Sequence, residues 1–590
     1  MAFQIPNREK LFIQTNRGDF LGNLFTTFNM DFDSQLGKVR VSPRLRVNTD
    51  NVDDAQLGVP TAFLRTSASG TDQWWALCGT VLFKTSGTDP SATFTQDALG
   101  SSPTTMTTTS SDLIEFNGKM YASLPTDIAE LDSTTWDVDW WTNVIGGTAL
   151  TTAIPHPLLA TIKTNTFLVG NGNLVHAMNK NENVSNSRLI LPSVYQIIWM
   201  IASRDGVWIG ARHTEGGEGQ IFFWDEVAEN YNRQYGVKHA RCFAGIIKDG
   251  IPWTVNGAGQ LLQYNGVGFE ERAVFPVFSQ SGSEWTNGQE INLPVVHRNG
   301  MSVVDEKIHI LIDTTINNDL DFIMENFPPG VWIFDNDRGL TQKYAISRYD
   351  GTENDYGTWT NNGGSVGAIY STNAQQGLLL VGAKFPTDDG STFLTAILFK
   401  DENDSIVKRG HFTTAVFESS AFEDVFQDIL LSFKRFRSSG DRIIVKYRAI
   451  KNPDFPIITA GITWTDTDTF TTTKNLSNVT AGDEVYIIRG TGAGTLVHVL
   501  SISEAAGTYT VNLDETIANA TGTGRVIIDD FTKCATVSTQ GIERQGFDLD
   551  VVGTWIQLKV ELRSASGSVG AGDSPELEKV VVTNVPEITT

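Results

Sequence analysis

One turn recurs along this chain. The phrase Arg204-Asp205-Gly206-Val207-Trp208-Ile209-Gly210 returns as Lys248-Asp249-Gly250-Ile251-Pro252-Trp253. Looser versions are Phe116-Asn117-Gly118-Lys119-Met120-Tyr121 and Thr164-Asn165-Thr166-Phe167-Leu168-Val169-Gly170. Each reads as an apolar strand, a tight polar reversal and a second apolar strand. Asn, Asp and Gly at the reversal tolerate positive φ, which two-residue hairpins require. Markers at 118, 166, 206 and 250 give intervals of 48, 40 and 44 residues. A period of about 40–45 residues made of short strands is the signature of a β-propeller. A second echo agrees: Gly219-Gln220 and Gly259-Gln260, 40 residues apart, each open an apolar run that ends in an aromatic.

Following the pattern predicts blades around Trp74–Phe83, Leu113–Trp136, Leu158–Ala177, Ile197–Asp225 and Cys242–Phe269. Ile308–Ile312 with Gly330–Asp335 makes a sixth, and Val366–Tyr370, Gly377–Gly382 and Phe393–Phe399 a seventh. The expected fold is all-β: a degenerate six- or seven-bladed β-propeller over 61–405, then a β-sandwich over 406–459 plus 534–590, with a small inserted β-barrel or meander at 460–533. Residues 1–60 are expected to close the propeller or contact a neighbour. The insert is read from Gly482–Gly490, Thr495–Ile502 and Gly507–Asp514, tethered near Ile458 and Cys534. Asp424–Arg437 fits a helix or a strand; the alternation at Ile429–Phe436 favours strand.

At 590 residues the chain exceeds one compact core. It has no apolar run long enough for a membrane helix, and Met1–Lys10 lacks the pattern of a secretory signal. Cys78, Cys242 and Cys534 are odd in number and share no spacing motif, so they read as small buried apolar residues. The formal net charge of −24 opposes tight nucleic-acid binding. It suits solubility, or a wall to which passing DNA must not adhere.

Catalytic signals are poor, and no serine elbow, phosphate loop or paired-His zinc motif is present. Glu215-Gly216-Gly217-Glu218-Gly219 lacks the lysine of a phosphate loop and reads as a turn. His309, inside an apolar run, reads as a hydrogen-bonded core residue rather than a ligand or base. Asp335-Asn336-Asp337-Arg338-Gly339 and Asp401-Glu402-Asn403-Asp404-Ser405 alternate oxygen donors as calcium loops do, without the distal glutamate, and read as solvated turns. Thr352–Trp359 resembles a sialidase aspartate box with its spacing one residue wrong. Trp74-Trp75, Trp140-Trp141 and Trp208 fit either inter-blade packing or a sugar-stacking platform. Lys434-Arg435-Phe436-Arg437 is the one dense basic patch, suited to an exposed strand face or an acidic neighbouring subunit. The expectation is a non-enzyme: no catalytic residue, no cofactor and no metal site is assigned.

Two stretches carry a resemblance. Leu21-Gly22-Asn23-Leu24-Phe25-Thr26-Thr27-Phe28-Asn29-Met30-Asp31, followed by Gly37-Lys38-Val39-Arg40-Val41-Ser42-Pro43-Arg44, resembles the start of virion structural proteins of tailed bacteriophages. The order of propeller, sandwich and Thr/Gly-rich insert with Gly482-Asp483-Glu484-Val485 is similar in style to propeller-bearing tail nozzles and tail-tip or hub components. That resemblance implies a homo-oligomeric ring, sixfold if nozzle-like, around a DNA-ejection channel. It implies other tail or adaptor proteins and tail fibres as partners, DNA only in passage, no membrane insertion, and a place in the virion after synthesis in the host cytoplasm. The competing expectations are a glycan-binding or glycan-hydrolysing propeller and a cellular propeller scaffold.

Overall fold

The computed structural model describes residues 2–4, 24–28, 30–31, 39–41 and 45–47 of the N-terminal region. It describes 58–275 apart from 90–91, 93, 98–105, 108–110 and 238–240, then 295–313, 330–335, 339–345, 365–371, 379–386 and 393–400. Beyond these come 409–414, 417–418, 424–436, 438, 440–449, and 457–586 apart from 478, 493–495, 519, 554 and 565–574.

Seven four-stranded antiparallel sheets follow one another from Pro60 to Lys400. Their first strands are Pro60–Thr66, Leu113–Phe116, Leu158–Ala160, Tyr195–Ala202, Cys242–Lys248, Val295–Val304 and Ser365–Ser371. Each first strand touches that of the next sheet, and the seventh touches the first, so the sheets close into a ring of seven blades. The repeated turn joins the first and second strands of a blade. At Asn117-Gly118 (φ 51° and 77°) and Asp249-Gly250 (54° and 79°) both residues sit at positive φ, the geometry that matches strand twist in a two-residue hairpin.

The second strands are covered on both sides by neighbouring blades. Thr166–Asn171 and Ile251–Asn256 are buried at every position after the first, whereas the outer strands Arg233–Val237 and Phe269–Val274 are mostly exposed. Close inter-blade contact needs glycine. A Cβ on Gly245 of blade five would lie 2.6 Å from Trp199 of blade four, and one on Gly210, the cross-strand partner of Trp199 within blade four, 2.0 Å from the same ring, so the indole lies against two bare backbones.

Ring closure is non-local. The fourth strand of blade seven is Leu45–Val47, paired in register with Leu398–Lys400. Blade seven lies so close to blade one that a Cβ on Gly367 would fall 2.1 Å from the Pro60 carbonyl oxygen.

The sandwich has one sheet in the order Ala2–Gln4, Leu577–Pro586, Asp424–Phe433, Arg544–Gly553. The other runs Leu24–Phe28, Arg409–Thr414, Trp555–Arg563, Arg442–Ala449 and the end of Thr523–Val537. Asp424–Phe433 is thus a strand, and its Phe426, Ile429 and Leu431 are buried against Ile443, Val560 and Leu562 of the opposite sheet.

The insert is a closed six-stranded barrel. Ile457–Asp466 pairs Thr469–Thr472, which pairs Thr508–Leu513, then Leu496–Ala505, then Asp483–Arg489, then Thr523–Val537, which returns to Ile457–Asp466. Trp464, Phe470, Val485, Val497, Val511 and Val526 fill its interior. Its C-terminal link to the sandwich is the 15-residue strand Thr523–Val537 itself. Residues 523–529 pair with Ile457–Thr463 of the barrel, and 532–537 pair with Ile443–Tyr447 of the sandwich. Among the described residues no helix is long and apolar enough to cross a membrane.

Candidate functional site

Propellers usually offer their axis as a binding place, and here the described residues close it. The first strand of blade six pairs Val296 with Ile312 and Met301 with Ile310, so four residues, 297–300, stand opposite Leu311 alone. This large bulge throws Arg298 and Asn299 across the ring. Arg298 donates to the Ser111 carbonyl oxygen of blade two, and its Nε lies 3.9 Å from Asp112 Oδ2. Asn299 Nδ2 donates to Thr61 O of blade one and to Asp112 Oδ1, each at 3.0 Å. Asp112 also accepts the Leu158 amide of blade three at 3.2 Å. Blades two, three and six therefore meet at one carboxylate, and Asn299 ties in blade one. Burial pulls the Arg298 guanidinium pKa down, and Asp112 opposes that pull.

A second polar cluster locks the barrel onto the sandwich. Trp555–Arg563 directs Ile556, Leu558, Val560 and Leu562 into the sandwich core. The alternate positions Lys559 and Glu561 face the barrel. There Lys446 Nζ meets Glu561 at 3.0 Å and also Glu484, while Lys559 Nζ meets Glu484 at 3.1 Å. All four residues are at most 2% exposed. Buried charges are tolerated only when paired; here Glu484 of the barrel reaches across the module boundary to Lys446 and Lys559, and Glu561 pairs with Lys446 within the sandwich. At its rim His498 Nδ1 and Lys533 Nζ contact Asp514 Oδ2 at 3.1 and 3.2 Å. Burial raises the Asp514 carboxyl, but the His498 hydrogen bonds and the Lys533 charge outweigh it and hold the group well below the usual carboxylate range. Burial lowers the His498 pKa.

The N-terminal strands form the third joint. Leu24–Phe28 extends the sandwich sheet beside Arg409–Thr414 and also touches Gly339–Ala345 of blade six. Met30 and Val39 are buried in the sandwich core. A few residues on, Leu45–Val47 closes blade seven. One strap thus stitches propeller to sandwich.

Among the residues singled out from sequence, Trp74, Trp75, Trp140 and Trp141 are buried packing residues. Trp208 is buried as well, and it lines a surface cleft between blades four and five. His309 is buried, with Nδ1 3.4 Å from the Lys307 carbonyl oxygen. Glu215–Gly219 lies at the hairpin between the second and third strands of blade four, where His213 Nδ1 accepts the amides of Glu215 and Gly217. Lys434 and Arg435 find partners inside the chain, Glu576 at 2.8 Å and Glu543 at 3.0 Å. Asp335 pairs with Lys307 at 3.4 Å. Positions 336–338, 401–405, 352–359 and 437 lie outside the described residues. Burial pushes the Cys78 thiol up, and those of Cys242 and Cys534 to about 11. Among the described residues no group of three His, Cys, Asp or Glu could hold a metal ion.

Sequence reasoning missed Arg298 and the Lys446–Glu484–Lys559–Glu561 cluster. For Arg298 the available signal was a charged residue followed by Asn299-Gly300 in the midst of an apolar strand.

No family model and no curated protein matches the chain. Among solved structures, the RRP9 WD40 repeats align at 9% identity and a TM-score of 0.38, over 61% of this chain and 99% of that one. The Cps50 (Swd1) β-propeller domain of Myceliophteria thermophila aligns at 9% and 0.35, over 58% and 97%. Raptor of Chaetomium thermophilum aligns at 9% and 0.37, over 62% of this chain and 30% of that one. These likenesses carry no functional argument. The conclusion that this is an all-β chain with a seven-bladed propeller, a sandwich and an inserted barrel rests on its own strand pairing.

Proposed function

We propose that this chain is a structural subunit of a bacteriophage tail, of nozzle or hub type, which assembles with copies of itself into a ring around the DNA-ejection channel and docks other tail proteins. The observation that carries the reading is the strap. The residues that resemble phage virion proteins, 21–31 and 37–44, include the strand Leu24–Phe28 and the core residues Met30 and Val39 that join sandwich to propeller. A subunit that holds its place while DNA is driven past needs modules that do not swing, and this strap opposes swinging. The net charge of −24 disfavours adhesion of DNA to the channel wall. In this reading DNA passes through the ring of subunits, since Arg298 and Asn299 close the axis of each propeller.

Immunogold labelling of particles released by the producing cells tests the assignment. Gold confined to the tail end of the particles is expected. Gold on the cell envelope with none on particles would overturn it. A second reading, glycan binding, is favoured by one observation, the aromatic cleft between blades four and five. The two roles can coexist on one subunit.

A further inference from the structure

Blades four and five pack closely near the axis and part toward the face that carries the recurring turns. There they leave an open cleft of about 740 Å³. That lies within the range of small-ligand sites. One wall is a cross-strand row on blade four, Trp208 beside Phe223 beside Arg233. The other wall is Ile251, Pro252, Gln263 and Tyr264 of blade five. Trp208 and Tyr264 approach to 4.9 Å between ring centroids, and Tyr235 stacks on Trp208 at 6.0 Å with planes 27° apart. The Tyr264 hydroxyl donates to Gly266 O at 2.7 Å, and Arg233 Nη1 donates to the Tyr264 hydroxyl oxygen at 3.4 Å. The ring is therefore held at both its face and its tip.

The polar rim is not consumed by the fold. Neither the Gln263 carboxamide nor the Asp205 carboxylate has a hydrogen-bond partner among the described residues, and both line the cleft. Arg233 is exposed and is the cleft's one lining cation. Aromatic faces flanked by a planar amide, a carboxylate and a guanidinium match one ligand class well. A sugar ring offers an apolar C–H face to stack and a rim of hydroxyls for bidentate hydrogen bonding. The guanidinium adds a fork that fits a carboxylate. A nucleic acid is disfavoured, because the chain carries a net −24 and the cleft a single cation.

We propose that this cleft binds an oligosaccharide bearing a carboxylate, with the pyranose face against the partly exposed Tyr264 and Phe223 rings that cover the buried Trp208, Arg233 on the carboxylate, and Gln263 and Asp205 on ring hydroxyls. The inference uses blades four and five alone and stands apart from the assembly proposed above. The test is calorimetric titration of the full chain with tri-galacturonate and with its methyl ester. Saturable binding of the acid with Kd below about 1 mM is expected. A loss of about tenfold or more is expected for the ester and for Arg233→Gln, and a comparable loss for Gln263→Ala. Both variants alter surface side chains, and unchanged melting curves establish that they fold. Absence of binding by the wild type up to about 10 mM would overturn the proposal. So would acid binding that neither variant weakens, or ester binding as tight as the acid.

Discussion

Arg298 of blade six and Asp112 of blade two lie 3.9 Å apart across the axis of the ring, although blades seven and one separate them along its circumference. A contact of this kind cannot form in an isolated blade or hairpin. It reports closure of the ring as a whole.

Removing one partner of a buried charge pair leaves the other without compensation. Arg298→Ala should therefore destabilise the propeller by about 3–5 kcal/mol. Arg298→Met with Asp112→Asn removes both charges and should cost less than Arg298→Ala alone. Urea unfolding followed by tryptophan fluorescence measures both, since most of the tryptophans lie in the blades.

At the barrel, Glu484→Gln takes one carboxylate from between Lys446 and Lys559. The expected result is a loss of about 3 kcal/mol or more, appearing first as faster amide exchange in Asp483–Arg489 and 532–537. Exchange in blades one to five should not change. Uniform acceleration over the whole chain would show that the cluster does not act at this joint.

Two glycines separate close contact from backbone strain. Gly250, at φ 79°, has open space where a Cβ would go, so Gly250→Ala should cost only the left-handed penalty of about 1–2 kcal/mol. Gly367→Ala places its methyl against the Pro60 carbonyl oxygen at the closing seam and should cost more than Gly250→Ala. Paired denaturation curves decide the order.

Acid should weaken both modules. Burial, then the proximity of His156, lowers the His176 pKa from 6.5 to about 4, and the Ser187 amide donates to its Nδ1. A base whose folded pKa is depressed contributes stability above its unfolded value, and that contribution falls away as pH drops below it. The propeller should therefore lose stability between pH 6.5 and about 4. His498 adds a loss of the same sign in the barrel, beginning below its ordinary value of 6.5. The depressed Asp514 carboxyl adds a further loss below its ordinary value of 3.8. Melting temperature against pH should flatten over the first window in His176→Gln.

The middle of the propeller was legible because its hairpins are local and chemically marked, as at Asn117-Gly118 and Asp249-Gly250. Blade six uses the same pair of positive φ angles at Asp305-Glu306 (48° and 63°) with Glu306 in place of glycine, so its turn is only half marked in the sequence. Leu45–Val47 was open between closing the ring and meeting a neighbour, because its partner is more than 350 residues away in Leu398–Lys400. Lys559 and Glu561 were hidden for a different reason. Along Trp555–Arg563 they alternate with apolar residues as a solvated face does, and only the barrel lying over them makes that face buried. Trp208 packs between blades, buried among Phe223, Tyr235, Tyr264 and Phe269, beneath their cleft.

The proposed ring of copies can be sought directly in solution. Light scattering of the purified full chain over a concentration series, with negative-stain images of the same fractions, tests it most directly. A closed species of fixed copy number, six if nozzle-like, seen end-on as rings, is expected. A particle of 64.7 kDa at every concentration, with no ring in the images, would contradict it.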